Sequence, residues 1–104
     1  MAQFDVFVNP VVGARRAYPF VVALQSNFVQ NERDQIVAPL VPVGPMPKVI
    51  SRLTPIVALN GSEHMVLVPA LTGMHFRDLL KPHASLASAR SELLGAVDYL
   101  FFGV

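Results

Sequence analysis

Phe4, Val6 and Val8 alternate with Asp5, Phe7 and Asn9, a period of two that predicts a strand with one buried face. Asn9-Pro10 breaks it. Tyr18 to Leu24 is rich in aromatic and β-branched residues and predicts a second strand, with Pro19 near its start, where a missing amide donor is tolerated. Gln25-Ser26-Asn27 ends that strand. Phe28 and Val29 follow, just ahead of the polar run Gln30 to Gln35, which predicts a solvent-facing turn. Ile36 to Val43 is apolar enough for a central strand, but Pro39 and Pro42 deny donors to a ladder and favour an edge position or a bulge. Gly44-Pro45-Met46-Pro47 closes that segment, and Lys48 to Thr54 reads as irregular or a short strand.

The clearest local signal comes next. Pro55 to Leu59, then Asn60-Gly61, then Glu63 to Val68 predicts a β-hairpin, because Asn-Gly supplies the positive φ angles that a two-residue type I′ turn demands. Pro69 to Gly73 turns the chain, and Met74 to Leu80 alternates well enough for a last strand before Lys81-Pro82. Residues 82–88 lead into a helix, with Ser85 or Ser88 as candidate N-caps. Five or six strands followed by one helix predict a mainly β, α+β fold. Its antiparallel sheet is curled or barrel-like, and the helix packs on it.

From Leu86 to Val104 there is no proline. At about 100° per residue, Leu86, Ala89, Leu93, Ala96, Val97 and Leu100 fall on one stripe, which faces the core. Ser88, Ser91, Gly95 and Asp98 fall on the opposite side. Phe102 lies among them, with Tyr99 at the flank and Phe101 at the boundary of the core stripe. The segment Tyr99-Leu100-Phe101-Phe102-Gly103-Val104 therefore places an aromatic ring where water should be. Two outcomes are open: the last turn frays and both rings fold back onto the body, or Phe102 is an anchor for a partner.

Composition narrows the class. The 104 residues are expected to form one domain, 1–104, with a single core. Apolar residues make up 53% and charged residues 14%, which excludes a disordered chain. A net charge of +1 and a pI near 8.2 argue against a dedicated nucleic-acid binder. The chain has no cysteine, hence no disulfide scaffold or thiolate metal site. No apolar run reaches the length of a membrane span, and Met-Ala-Gln-Phe-Asp carries no basic leader. A soluble, cytoplasmic protein without membrane contact is expected.

Candidate chemistry is sparse. His64, His75 and His83 lack ligand spacing and read as strand-surface or internally satisfied residues, so no metal is implied. No phosphate loop or nucleophile elbow occurs, and the seven carboxylates are scattered. A non-enzymatic role without cofactor is expected. The basic pair Arg15-Arg16 sits in a loop that reads as solvated or as a contact for a phosphate or an acidic partner. One enzymatic alternative stays open. A small barrel with Arg15, Arg16, Arg52 or Arg77 near a Ser, Thr or Asp has the parts to cleave RNA, with the 2′-hydroxyl as nucleophile.

Certain residues match a known pattern: Met-x-Gln-Phe-x-Val at the start, Tyr18 through Gln25-Ser26, Ile36-Val37-x-Pro39-Leu40, and a final helix ending Phe101-aromatic-Gly103-aliphatic. In these the chain resembles the CcdB family of toxins from bacterial toxin–antitoxin modules from end to end, with weaker agreement between Gly44 and Pro82. The resemblance implies a small Src-homology-type barrel, a plasmid-maintenance-toxin fold shared with ribonuclease toxins, assembled as a homodimer. It also implies that the toxin inserts between the GyrA subunits of DNA gyrase and traps the cleaved-DNA state. A cognate CcdA-like antitoxin with a disordered segment neutralises it, and operator DNA is reached only through that antitoxin. By position, the implied gyrase contacts are Phe28, Val29, Asp98, Phe101, Phe102, Gly103 and Val104. Two of them depart from the family's pattern: Phe102 stands in place of a Trp that stacks on target arginines, and Asp98 in place of an amide.

Overall fold

The computed structural model describes residues 2–26, 33–44 and 51–104. Phe28 and Val29, the first half of the polar run Gln30 to Gln35, and the first part of Lys48 to Thr54 lie outside them. Among the described residues the strands are β1 (Asp5–Val8), β2 (Phe20–Ala23), β3 (Asp34–Pro42), β4 (Ile56–Leu59), β5 (Ser62–Val66), β6 (Thr72–His75) and β7 (Ala84–Ser85), followed by helix α1 (Arg90–Phe102). Their order is β4-β5-β3-β2-β1-β7, with β6 also on β3. Every pairing is antiparallel. The sheet curls into a nearly closed barrel with α1 packed on it, as the element pattern predicts.

The hairpin forms as its turn chemistry requires. Asn60 and Gly61 have φ of 53° and 78°, and Leu59 pairs with Ser62 across the two-residue turn. β3 corrects an expectation, because it is neither an edge nor bulged. Val37 to Leu40 pair with Ala23 to Phe20 on one side, while β6 and then β5 cover the other. The prolines fit because antiparallel ladders need each residue's donor on one side only. Leu24 donates to Ile36, so the even positions of β3 face β2 and Pro39 faces away from it. There the partner changes from β6 to β5, and the Pro39 carbonyl still accepts from the Leu67 amide at 2.9 Å. Pro42 faces β2's side but lies beyond β2's last pair, Phe20 with Leu40.

Successive residues of these strands feed two apolar clusters on opposite faces. Val6, Val22, Ala38 and Leu40 join Phe4, Leu93 and Ala96 in the larger cluster, under α1. Phe7, Val21, Ala23 and Val37 pack with Leu79 in the smaller one. This explains a second departure: Phe7 is buried and Val8 exposed, against the simple alternation of β1, because both faces of the sheet are covered near its middle. Strand β1 also starts one residue late. Phe4 has φ of 71°, a strained value for a bulky residue, and its carbonyl accepts from the Leu86 amide at 2.8 Å ahead of the helix.

Two further boundaries shift. The strand expected over Met74 to Leu80 occupies Thr72 to His75 and gives way to a 3-10 turn, Phe76–Asp78. Neither serine caps α1, which begins after Ala89 with no side-chain cap. Ser85 instead accepts from the Ala87 amide at 3.2 Å, at the 3-10 turn Ala87–Ala89 that precedes the helix.

Candidate functional site

Helix α1 is fixed to the barrel by the stripe its periodicity predicts. Leu93 and Ala96 are fully buried, as is Leu86 just before the helix. Ala89, Val97 and Leu100 pack half-buried against the same cluster. The opposite side is open: Ser88, Ser91 and Asp98 are exposed, with Gly95 half-buried among them. Phe101 is 61% exposed, Phe102 74% and Val104 76%. The rings therefore do not fold back onto the body, and Phe102 stands on the solvent side of a regular helix.

The helix ends through Gly103, whose φ of 73° is the left-handed conformation that glycine adopts without a Cβ penalty. Its amide donates to the Tyr99 carbonyl at 3.0 Å, which closes the last turn and sends Val104 off the helix axis. A larger residue at this position would be strained, although no atom lies within 4 Å of where its Cβ would stand. Asp98, Phe101, Phe102, Gly103 and Val104 thus share one end of one helix. Phe28 and Val29 lie outside the described residues.

Two concave surfaces flank α1. On one side a groove of about 330 Å³ is lined by Leu24, Gln25, Ile36, Leu71, Leu94, Val97 and Phe101, so Phe101 belongs to an apolar wall while Phe102 does not. On the other a cleft of about 540 Å³ lies between the β4–β5 hairpin and the helix, lined by Ser51, Arg52, Thr54, Glu63, Glu92 and Gly95 among others. At its edge the Arg52 guanidinium carbon lies 4.3 Å from the Tyr99 ring centre. Sequence reading missed this pairing, since nothing local links a loop before β4 to the helix end.

The remaining candidates are dispersed. Arg15 donates through Nε to the Asn9 carbonyl at 2.6 Å, and Asn9, itself buried, accepts from Val11 and donates to the Tyr18 carbonyl. This side of the basic pair is therefore a brace for its own loop, and Arg16 is exposed. Arg77 lies 6.0 Å from the Phe76 ring centre. These four arginines thus occupy three separate segments, and Arg52 shares a cleft with hydroxyl and carboxylate groups.

The histidines are satisfied internally. His64 is buried beside Phe20 with Nδ1 3.2 Å from the Ser62 carbonyl. The His83 ring lies 4.8 Å from that of Phe20, tilted by 31°, and its Nε2 accepts from Asn60 Nδ2 at 2.6 Å. His75 accepts from the Arg77 amide. Among the described residues no three metal-ligating side chains converge, and no helix is long and apolar enough to cross a membrane.

Barrel, packed helix and aromatic tail together define a small α+β barrel domain. The model of the CcdB protein family matches residues 3–103, and the chain belongs to that family, whose members are the toxins of toxin–antitoxin systems. A search of curated proteins returned no significant match.

Proposed function

We propose that this toxin acts on DNA gyrase, docking on the GyrA subunit through Asp98, Phe101, Phe102, Gly103 and Val104, together with Phe28 and Val29, and trapping the complex with cleaved DNA. The observation that carries this reading is the 74% exposure of Phe102 on a helix whose other side is anchored in the core. A ring held on a regular helix loses little conformational freedom on binding, so more of its burial appears as affinity. No bond is made or broken by the toxin in this reading. It acts as a wedge that stabilises one state of its target, and it does so only through its preference for that state.

The reading extends to assembly. The groove beside Phe101 is apolar on nearly all sides, and it fits a homodimer in which a second copy covers Leu71, Leu94, Val97 and Phe101. A CcdA-like antitoxin neutralises the toxin and carries the pair to operator DNA.

The experiment is a cleavage-complex assay with purified gyrase. The wild-type chain is expected to accumulate cleaved DNA. Phe102→Ala is expected to lose about 2 kcal/mol of binding, roughly thirty-fold in affinity, as for a central aromatic anchor, with an unchanged thermal midpoint. Full activity of Phe102→Ala would sink the reading. No cleavage by the wild-type chain, with antitoxin binding retained, would make this a family member that has lost the gyrase activity.

RNA cleavage is a second reading with one observation in its favour, the meeting of Arg52, Ser51, Thr54 and Glu92 in one cleft. Against it, Tyr99 already engages the guanidinium, and the cleft's glutamates repel a phosphate. Intact RNA after incubation with concentrated protein removes it.

A further inference from the structure

Helix α1 ends against the usual charge rule. Its last turn carries no basic residue, and Asp98 lies just ahead of that turn, whereas the free carbonyls of a helix C-terminus favour cations and disfavour carboxylates. A cation from elsewhere in the fold does reach a side chain of that turn. Arg52, in the segment that leads into β4, lies with its guanidinium carbon 4.3 Å from the Tyr99 ring centre, close enough for a planar guanidinium to contact an aromatic face. Tyr99 is also the residue whose carbonyl accepts the Gly103 amide. The residue that closes the tail's turn is therefore the one that Arg52 covers.

We propose that Arg52 is a positioning residue for the tail. Stacked on Tyr99, it holds the last turn of α1 closed, so that Phe102 and Gly103 meet a partner already ordered. The proposal rests on the reading that this tail docks on a target. Arg52 and Tyr99 are both exposed, and neither belongs to the core clusters. Their contact therefore acts on the local opening of one turn and not on global unfolding. An unbraced turn would sample open states, and each binding event would have to reorder it.

The test is amide hydrogen exchange at Gly103 in the free protein, read by NMR, beside affinity for purified GyrA. Arg52→Ala is expected to speed Gly103 exchange about three-fold, the scale of an exposed cation–aromatic contact, to weaken GyrA binding by a similar factor, and to leave the thermal midpoint unchanged. Arg52→Lys, which keeps the charge but lacks the planar stack, is expected to fall between. In a Tyr99→Leu background Arg52→Ala should add nothing.

Unchanged Gly103 exchange in Arg52→Ala overturns the proposal. So does an equal effect in the Tyr99→Leu background, because Arg52 would then not act through Tyr99. Faster exchange with unaltered GyrA affinity, in an assay where Phe102→Ala does lose affinity, also overturns it. If GyrA ignores Phe102→Ala while Arg52→Ala still loosens Gly103, the target is wrong and the brace stands.

Discussion

Phe101 and Phe102 are neighbours in sequence and face different surroundings. Phe101 forms one wall of an apolar groove with Leu71, Leu94 and Val97. Phe102 stands on the polar side of the same helix, near Asp98 and the Arg52–Tyr99 stack. Both rings are well exposed, so exposure alone does not distinguish them; their neighbours do. A ring within a contiguous apolar surface calls for an equally apolar cover, which in the proposed assembly is a second copy of the chain. A lone ring among polar groups is suited to a pocket on a different partner, where one aromatic anchor dominates the affinity. In the proposed reading a single helix serves assembly with one flank and attack with the other, while its third side is held by Leu93 and Ala96.

The largest expected effect removes the basis of the comparison. Leu93 is fully buried between helix and barrel, and Leu93→Ala should cost about 3 kcal/mol, the transfer loss plus a cavity. Thermal or urea unfolding measures it, and both flanks of α1 should fail together. Next comes Phe102→Ala, with its thirty-fold loss on gyrase and no change in sedimentation. Phe101→Ala should do the reverse, weakening self-association by about ten-fold as an apolar contact is lost while isolated protomers keep their thermal midpoint. Sedimentation across micromolar concentrations reads it. If Phe102→Ala shifted the dimer and Phe101→Ala did not, the assignment of the two flanks would be inverted.

Much of this arrangement was legible in the residues. Asn60-Gly61 announced the hairpin because few residues tolerate two consecutive positive φ angles. The helix wheel separated Leu93 from Phe102 because 3.6-residue periodicity carries over a regular helix to its last turn. The central place of β3 was hidden, since a proline's effect depends on which way its missing donor would point. For Pro39 and Pro42 that direction is set by partners distant in sequence. The burial of Phe7 was hidden likewise, by a second apolar cluster that one strand's pattern does not announce. At the site, the tail residues were readable and their flanking surfaces were not. The groove joins the residues just after β2, β3, the turn before β6 and α1, and the Arg52–Tyr99 contact joins a loop to a helix end. Such contacts are products of the barrel's closure.

The smallest effect separates the two roles of one charge. Asp98 is exposed just ahead of the last helical turn, where its carboxylate faces the unfavourable end of the helix dipole. Asp98→Asn, which restores the amide of the family's pattern, should raise the thermal midpoint by about 1 to 2 °C at low salt, a gain that fades as salt screens it. Toward a target whose arginines meet the Phe102 ring, the same carboxylate is attractive, so the substitution should weaken gyrase binding by about two-fold, also in a salt-dependent way. The two measurements should therefore move in opposite directions. A carboxylate that only burdened the helix would let both improve, and Asp98 would then drop out of the docking surface while Phe102 stayed in it.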